Sequence, residues 1–207
     1  FHMNAITKTI QKVQVHHLKI AFAVIVFLKM VFLLLVLDGT VQIFPTETDA
    51  RTYDLFALGQ IPDAYSIWSY ILKNLNAQAL YNRTVLTIVI FTTTTLVTPF
   101  IYASLIPHAM QIKNLQAYYK MYWCVAIYIY VYPTLNLYSL DIFRDAVMVL
   151  LIGLTFMVMK AYDHQKGAVK FAWLIPMLGM YYLVYEFRNY LAAALILAFI
   201  LRELHVY

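Results

Sequence analysis

Apolar residues run along this chain in long blocks interrupted by short polar stretches. The blocks are His17–Leu37, Val85–Ile106, Tyr118–Tyr132, Phe143–Ala161, Val169–Tyr185 and Tyr190–Leu201. A helix needs roughly 20 apolar residues to cross a hydrocarbon core of about 30 Å. The third, fifth and sixth blocks are short, so they extend into their flanks or tilt little. Ten-residue stretches of alternating hydrophobicity, the mark of barrel strands, are absent. The pattern predicts an all-α integral membrane protein with about six transmembrane helices, built as a single membrane domain over 1–207. The count falls to four or five if the last two blocks form a re-entrant pair.

The connection 38–82 is the one long polar interruption, and it is patterned. Thr46-Glu47-Thr48-Asp49 places a hydroxyl cap three residues before an acid, an arrangement that starts helices. A short helix is predicted to about Leu58, ended by Gly59. A second helix is predicted from near Pro62-Asp63. In it Ile61, Tyr65, Trp68, Leu72, Leu75 and Ala79 recur at three- and four-residue steps and form one apolar stripe. Two placements fit that stripe equally. One is a juxtamembrane helix on the outer leaflet; the other is a helix packed on top of the bundle. The expected architecture is thus a helical bundle with an extracytoplasmic loop, 38–82, carrying short amphipathic juxtamembrane helices.

Composition strengthens the membrane reading. Hydrophobic residues are 63% and charged residues 12% of 207 positions, with a mean hydropathy of +0.72. A soluble domain of this size could not bury that much apolar surface. Residues 1–3 read as a tag remnant, with a natural start at Met3. Lys8 and Lys12 precede the first block without a small-residue cleavage site, so that block reads as a signal anchor. Cys124 is the only cysteine, which removes a disulfide framework and a thiol metal site.

The charges then set an orientation. If six spans alternate, Lys8, Lys12, Lys19, Lys113, Lys120, Lys160, Lys166, Lys170 and Arg202 share one side, which is cytoplasmic. Both termini are expected there, in a multi-pass protein of a bacterial inner membrane. The other side receives Asp38, Glu47, Asp49, Asp54, Asp63, Asp141, Asp145 and Glu186, with Arg51, Lys73, Arg83, Arg144 and Arg188. Topology explains lysines inside; it does not explain arginines outside. Lys29 alone sits deep in a span, where it is expected to snorkel or to pair internally. Pro133 and Pro176 are each placed to kink a helix. The +5 net charge does not point to nucleic acid, because the lysines flank spans instead of forming a patch interleaved with aromatics.

Three polar segments carry candidate chemistry. In Thr48–Asp54, Asp49 and Tyr53 are four apart and share a helix face, and Asp54 lies three beyond Arg51. In Asp141–Asp145, Arg144 and Asp145 open an apolar helix, where charge is costly unless paired or hydrated. An acid in the first turn suits the helix dipole, which accounts for Asp145 but not for Arg144. The third segment is Glu186–Tyr190, a polar break between two apolar blocks. Arg51, Arg83, Arg144 and Arg188 could converge above the bundle, where planar guanidinium groups suit phosphate and pyrophosphate. A carboxylate beside them could take a proton from an acceptor hydroxyl. The candidate bases are Asp49 and Asp54. The candidate substrate and phosphate ligands are Arg51, Arg83, Arg144, Arg188, Asp145, Glu186 and Tyr53. The two acids lie five apart on a helix, so they are not expected to share one role. No metal-ligand spacing is present and no cofactor is indicated; a divalent cation stays open without a motif to support it.

Residues Thr48–Gly59, an acidic-Ala-x-x-Tyr helix after the first span, resemble multi-span glycosyltransferases that use polyprenyl-phosphate donors. Tyr138–Met159, with Phe-Arg-Asp at the start of a helix, and Glu186–Tyr190 are similar to the polymerase-type membrane proteins of bacterial O-antigen and exopolysaccharide clusters. The resemblance covers about two thirds of the chain, and its motifs are short and degenerate. It implies glycosyl transfer or polymerisation at the outer face of the inner membrane. The implied partners are membrane lipid and a polyprenyl-linked glycan, with a protein partner or homo-oligomer also open. Members of that family usually have ten or more spans, about twice the number here. Two other classes therefore stay in view. One is a non-enzymatic binding, assembly or immunity-type subunit; the other is a small transporter. Serine protease chemistry is excluded by the lack of Gly-x-Ser-x-Gly, and a metal site at His16-His17 lacks partnering ligands.

Overall fold

The computed structural model describes residues 14–43, 48–63 and 66–206, and every regular element among them is helical. Residues 1–3, Lys8, Lys12, Thr46, Glu47 and Tyr65 lie outside the described residues. Among the described residues, four helical stretches are long and apolar enough to cross a membrane: Val15–Leu37, Arg83–Ala109, Arg144–His164 and Ala168–Phe187. The first is α1. It is apolar all round, which suits a lipid-facing span, and it buries only Phe22 and Leu33.

The chain divides into two compact units, the first drawn from 1–48 and 84–142, the second from 49–83 and 143–207. In the second unit, α2 (Asp49–Ala57) buries Ala50, Tyr53, Phe56 and Ala57 on one face. The α2 helix stops where the glycine predicts. Gly59 adopts φ +74°, its amide returns to Phe56 and that of Gln60 to Leu55, closing a Schellman motif. The amphipathic helix α3 (Ile67–Ala77) starts at Ile67, later than Pro62-Asp63, and buries Trp68, Ser69 and Leu72. Its stripe packs on protein: α3 meets α2 through Phe56 and Tyr70, and Trp68 lies 6.3 Å from the Phe187 ring. Asn76 donates to the Ala57 carbonyl at 2.9 Å, satisfying an end of α2 that has no partner within its own helix. Lys73 sits over the Phe56 ring.

The first unit continues with α4 (Arg83–Thr92) from Thr84 onward, a π-helical turn at Thr93–Val97 and α5 (Thr98–Ala109). Thr93 and Thr94 hydroxyls donate back to Val89 and Ile90 carbonyls, absorbing the threonine run within the helix. Next come α6 (Leu115–Val131) and α7 (Pro133–Tyr138), with α6 packed on α5 and α1. Their core holds Phe22, Ala103, Val125, Ala126 and Tyr130. The second unit resumes with α8 (Arg144–His164), α9 (Ala168–Ala172), α10 (Leu174–Phe187) and α11 (Asn189–Val206). The break at Trp173 between α9 and α10 comes three residues before Pro176, whose ring nitrogen cannot donate to the Ala172 carbonyl. The α10 helix packs on α8 and α11.

Candidate functional site

All nine candidate site residues lie in the second unit, although its two segments are separated by about sixty residues of sequence. That placement follows from packing. The apolar stripe of α3 drives it onto α2 and α10, and this brings the acidic helix α2 to the end of the bundle where α8 begins and α10 ends.

Each acid of α2 has its own setting. Asp54 is half-buried and held from two sides. The Tyr81 hydroxyl donates to its Oδ1 at 2.5 Å, and Arg83 donates to its Oδ2 at 3.2 Å. A carboxylate so engaged closes the loop that leads into α4. Asp49, one turn before Tyr53, is exposed, as is Arg51. Tyr53 is buried, with 7% of its surface exposed. Burial pushes its phenol above the ordinary tyrosine range; the Arg144 guanidinium opposes this, while Asp49 and Asp145 add to it. The phenol thus lies with two acids and a guanidinium within electrostatic reach.

Arg144 opens α8 with Phe143 at the cap position. Asp145 pairs with Arg188 at 2.9 Å, and not with its neighbour Arg144, since consecutive helical side chains diverge by about 100°. Arg188 also donates to the Tyr190 hydroxyl at 2.9 Å. Arg188 is thereby stretched between the start of α8 and the start of α11. The Arg144 Nε is buried and has no hydrogen-bond partner among the described residues. Arg144, Glu186, Arg188, Asn189 and Tyr190 line a recess of about 400 Å³ together with Tyr185 and Phe187. Its lining combines guanidinium, carboxylate, amide and phenol groups. No protein-family model, curated protein or solved structure matches the chain.

Several of these roles were not legible in the sequence. Tyr81 carried no motif; its only signal is an aromatic two residues before Arg83. Asn189 and Tyr190 fall in the polar break at Glu186–Tyr190, but nothing local says that they face Arg144. Among the described residues, no three His, Cys, Asp or Glu side chains gather to hold a metal ion.

Proposed function

We propose that this protein transfers or polymerises sugars from a polyprenyl-(pyro)phosphate carrier at the outer face of a bacterial inner membrane. One observation supports the reading: Arg144 and Arg188 line a recess at the end of apolar helices, and the same unit holds an exposed acid, Asp49, and a buried phenol, Tyr53, which are not among its lining residues. In this scheme Asp49 accepts the proton of the acceptor hydroxyl. Arg144 and Arg188 stabilise the anionic phosphate of the leaving group. Asp54 maintains the loop.

The reading includes six spans, the four long apolar stretches with α6 and α11 added. Arg83 and Arg144 belong to the same unit, and Tyr53 senses Arg144. In this reading the chain from Thr84 to Ile142 leaves and returns on one side of the bilayer, with two crossings. The stretch Arg83–Ala109 is one; α6, with 17 residues, is the other. The α11 helix is the sixth span. Its first end is tied by Arg188 to Asp145 at the start of α8, and Arg202 near its other end pairs with Asp163 at the far end of α8. With Lys160, Lys166, Lys170 and Arg202 gathered at that far end, the recess faces outward.

The test uses the protein in nanodiscs with a polyprenyl-pyrophosphate-linked sugar. Asp49→Asn should lower product formation 10²–10⁴-fold, the usual effect of removing a positioned base, with thermal stability retained. Arg144→Ala should weaken use of the lipid donor. If Asp49→Asn and Arg144→Ala both retain full product formation, the catalytic reading is wrong and a non-enzymatic glycan-binding subunit takes its place.

A further inference from the structure

Lys29 lies in α1 eight residues before its end at Leu37, about 12 Å along the axis. It does not turn toward that end. Its ammonium donates to the Tyr130 carbonyl at 2.6 Å and sits 3.6 Å from the centre of the Tyr130 ring.

The reason that carbonyl is available can be read from the chain. In an unbroken helix, Tyr130 would accept the amide of residue 134. Pro133 prevents this, because the residue before a proline is driven out of the helical region. Tyr132 accordingly adopts φ −59°, ψ 118°, and α6 stops at Val131. The Tyr132 amide turns back to Ile129 at 3.3 Å instead. Tyr130 O is left as a helix-end acceptor inside an apolar core, where no water replaces the lost bond. The residue is 1% exposed, and its ring is held edge-on by Phe22 at 5.1 Å. A carbonyl lone pair and an aromatic face, both attractive to a cation, thus come from one immobilised residue.

We infer that the first unit contains a binding site for a primary ammonium group, formed by the carbonyl and ring of Tyr130 at the Pro133 break and filled by Lys29. The site latches α1, which buries only two side chains of its own, to α6. It takes an amine: an apolar side chain would fill the space but leave the carbonyl unbonded.

Lys29→Ala removes a propylammonium equivalent, so n-propylammonium chloride is the probe, with n-propanol as the uncharged control. The readouts are the thermal midpoint in nanodiscs and the infrared band of a ¹³C-labelled Tyr130 carbonyl. Lys29→Ala and Lys29→Met should each lower the midpoint by roughly 5 °C and raise the carbonyl frequency. Propylammonium should restore more than half of both changes in Lys29→Ala, and neither in Lys29→Met, where methionine blocks the space. Propanol should restore neither. A second arm does not need the alanine variant. Pro133→Ala frees the helix to continue, so Lys29→Met should cost less than half as much in that background. Two results overturn the inference: Lys29→Met equal to the parent in midpoint and carbonyl frequency, or rescue by propanol equal to rescue by propylammonium.

Discussion

Asp49 and Asp54 occupy one short helix, and the fold gives them opposite surroundings. Asp54 accepts from Tyr81 and Arg83; Asp49 is exposed one turn before a buried phenol. Asp54→Asn should therefore act on stability, costing about 1–2 kcal/mol with Arg83 partly screened by solvent, and leave turnover within a few-fold. Thermal unfolding and product assays on the same preparation separate this from the loss expected for Asp49→Asn. Tyr53 gives a pH signature. Its folded-state pKa lies above the unfolded value of about 10, so the unfolded chain loses this proton first as pH rises. The contribution of Tyr53 to stability is complete below pH 10 and declines above it. Tyr53→Phe should flatten the alkaline fall of the thermal midpoint, and an unchanged alkaline limb would remove the phenol from this account.

At the scale of elements, caps and stripes decide where helices lie. Leu72 is fully buried, on the face of α3 that packs against protein. Leu72→Ala should cost 2–5 kcal/mol, as for other buried leucines; a cost under 0.5 kcal/mol in nanodiscs would mean that the stripe faces lipid. The end of α3 carries strain that the end of α2 avoids. Ala79 adopts φ +57°, while its amide and that of Leu80 return to Asn76 and Leu75, the same Schellman closure that Gly59 provides for α2. A Cβ in this region costs about 1–2 kcal/mol, part of which glycine gives back as unfolded-chain entropy. Ala79→Gly should raise stability by up to about 1 kcal/mol, measurable as a shift in the thermal midpoint of about 2–4 °C.

Across the whole molecule, the charges of the second unit form two collars. Asp145 and Arg188 mark one, at the start of α8; Asp163, Lys170, Arg202 and Glu203 mark the other, at its far end. The 21 residues of α8 set them about 30 Å apart, the thickness of a hydrocarbon core. Our topology places the Arg188 collar outside. In a Cys124→Ala background, Gln60→Cys, which is exposed next to Gly59, should react with an impermeant thiol reagent in intact spheroplasts. Reaction only after lysis would invert the topology and move the recess to the cytoplasmic face.

What the sequence determines by itself is local. The helical class, the membrane-length blocks, the stop at Gly59, the stripe of α3 and the disruption at Pro133 all follow from hydrophobic periodicity and backbone restriction within a few residues. Pairing is different. Asp54 finds partners 27 and 29 residues away, and Arg188 reaches Asp145 across 43. Lys29 meets a carbonyl 101 residues distant. Nothing near these side chains in the chain ranks one opposite charge above another, because every candidate pair has the same chemistry and differs only in distance. Burial of the α3 stripe and the packing of α10 on α8 set the distances in the second unit, and the packing of α1 on α6 sets that of Lys29. Tertiary structure thereby decided which acid is tied down, which arginines line the recess, and why a lysine can rest inside a membrane helix.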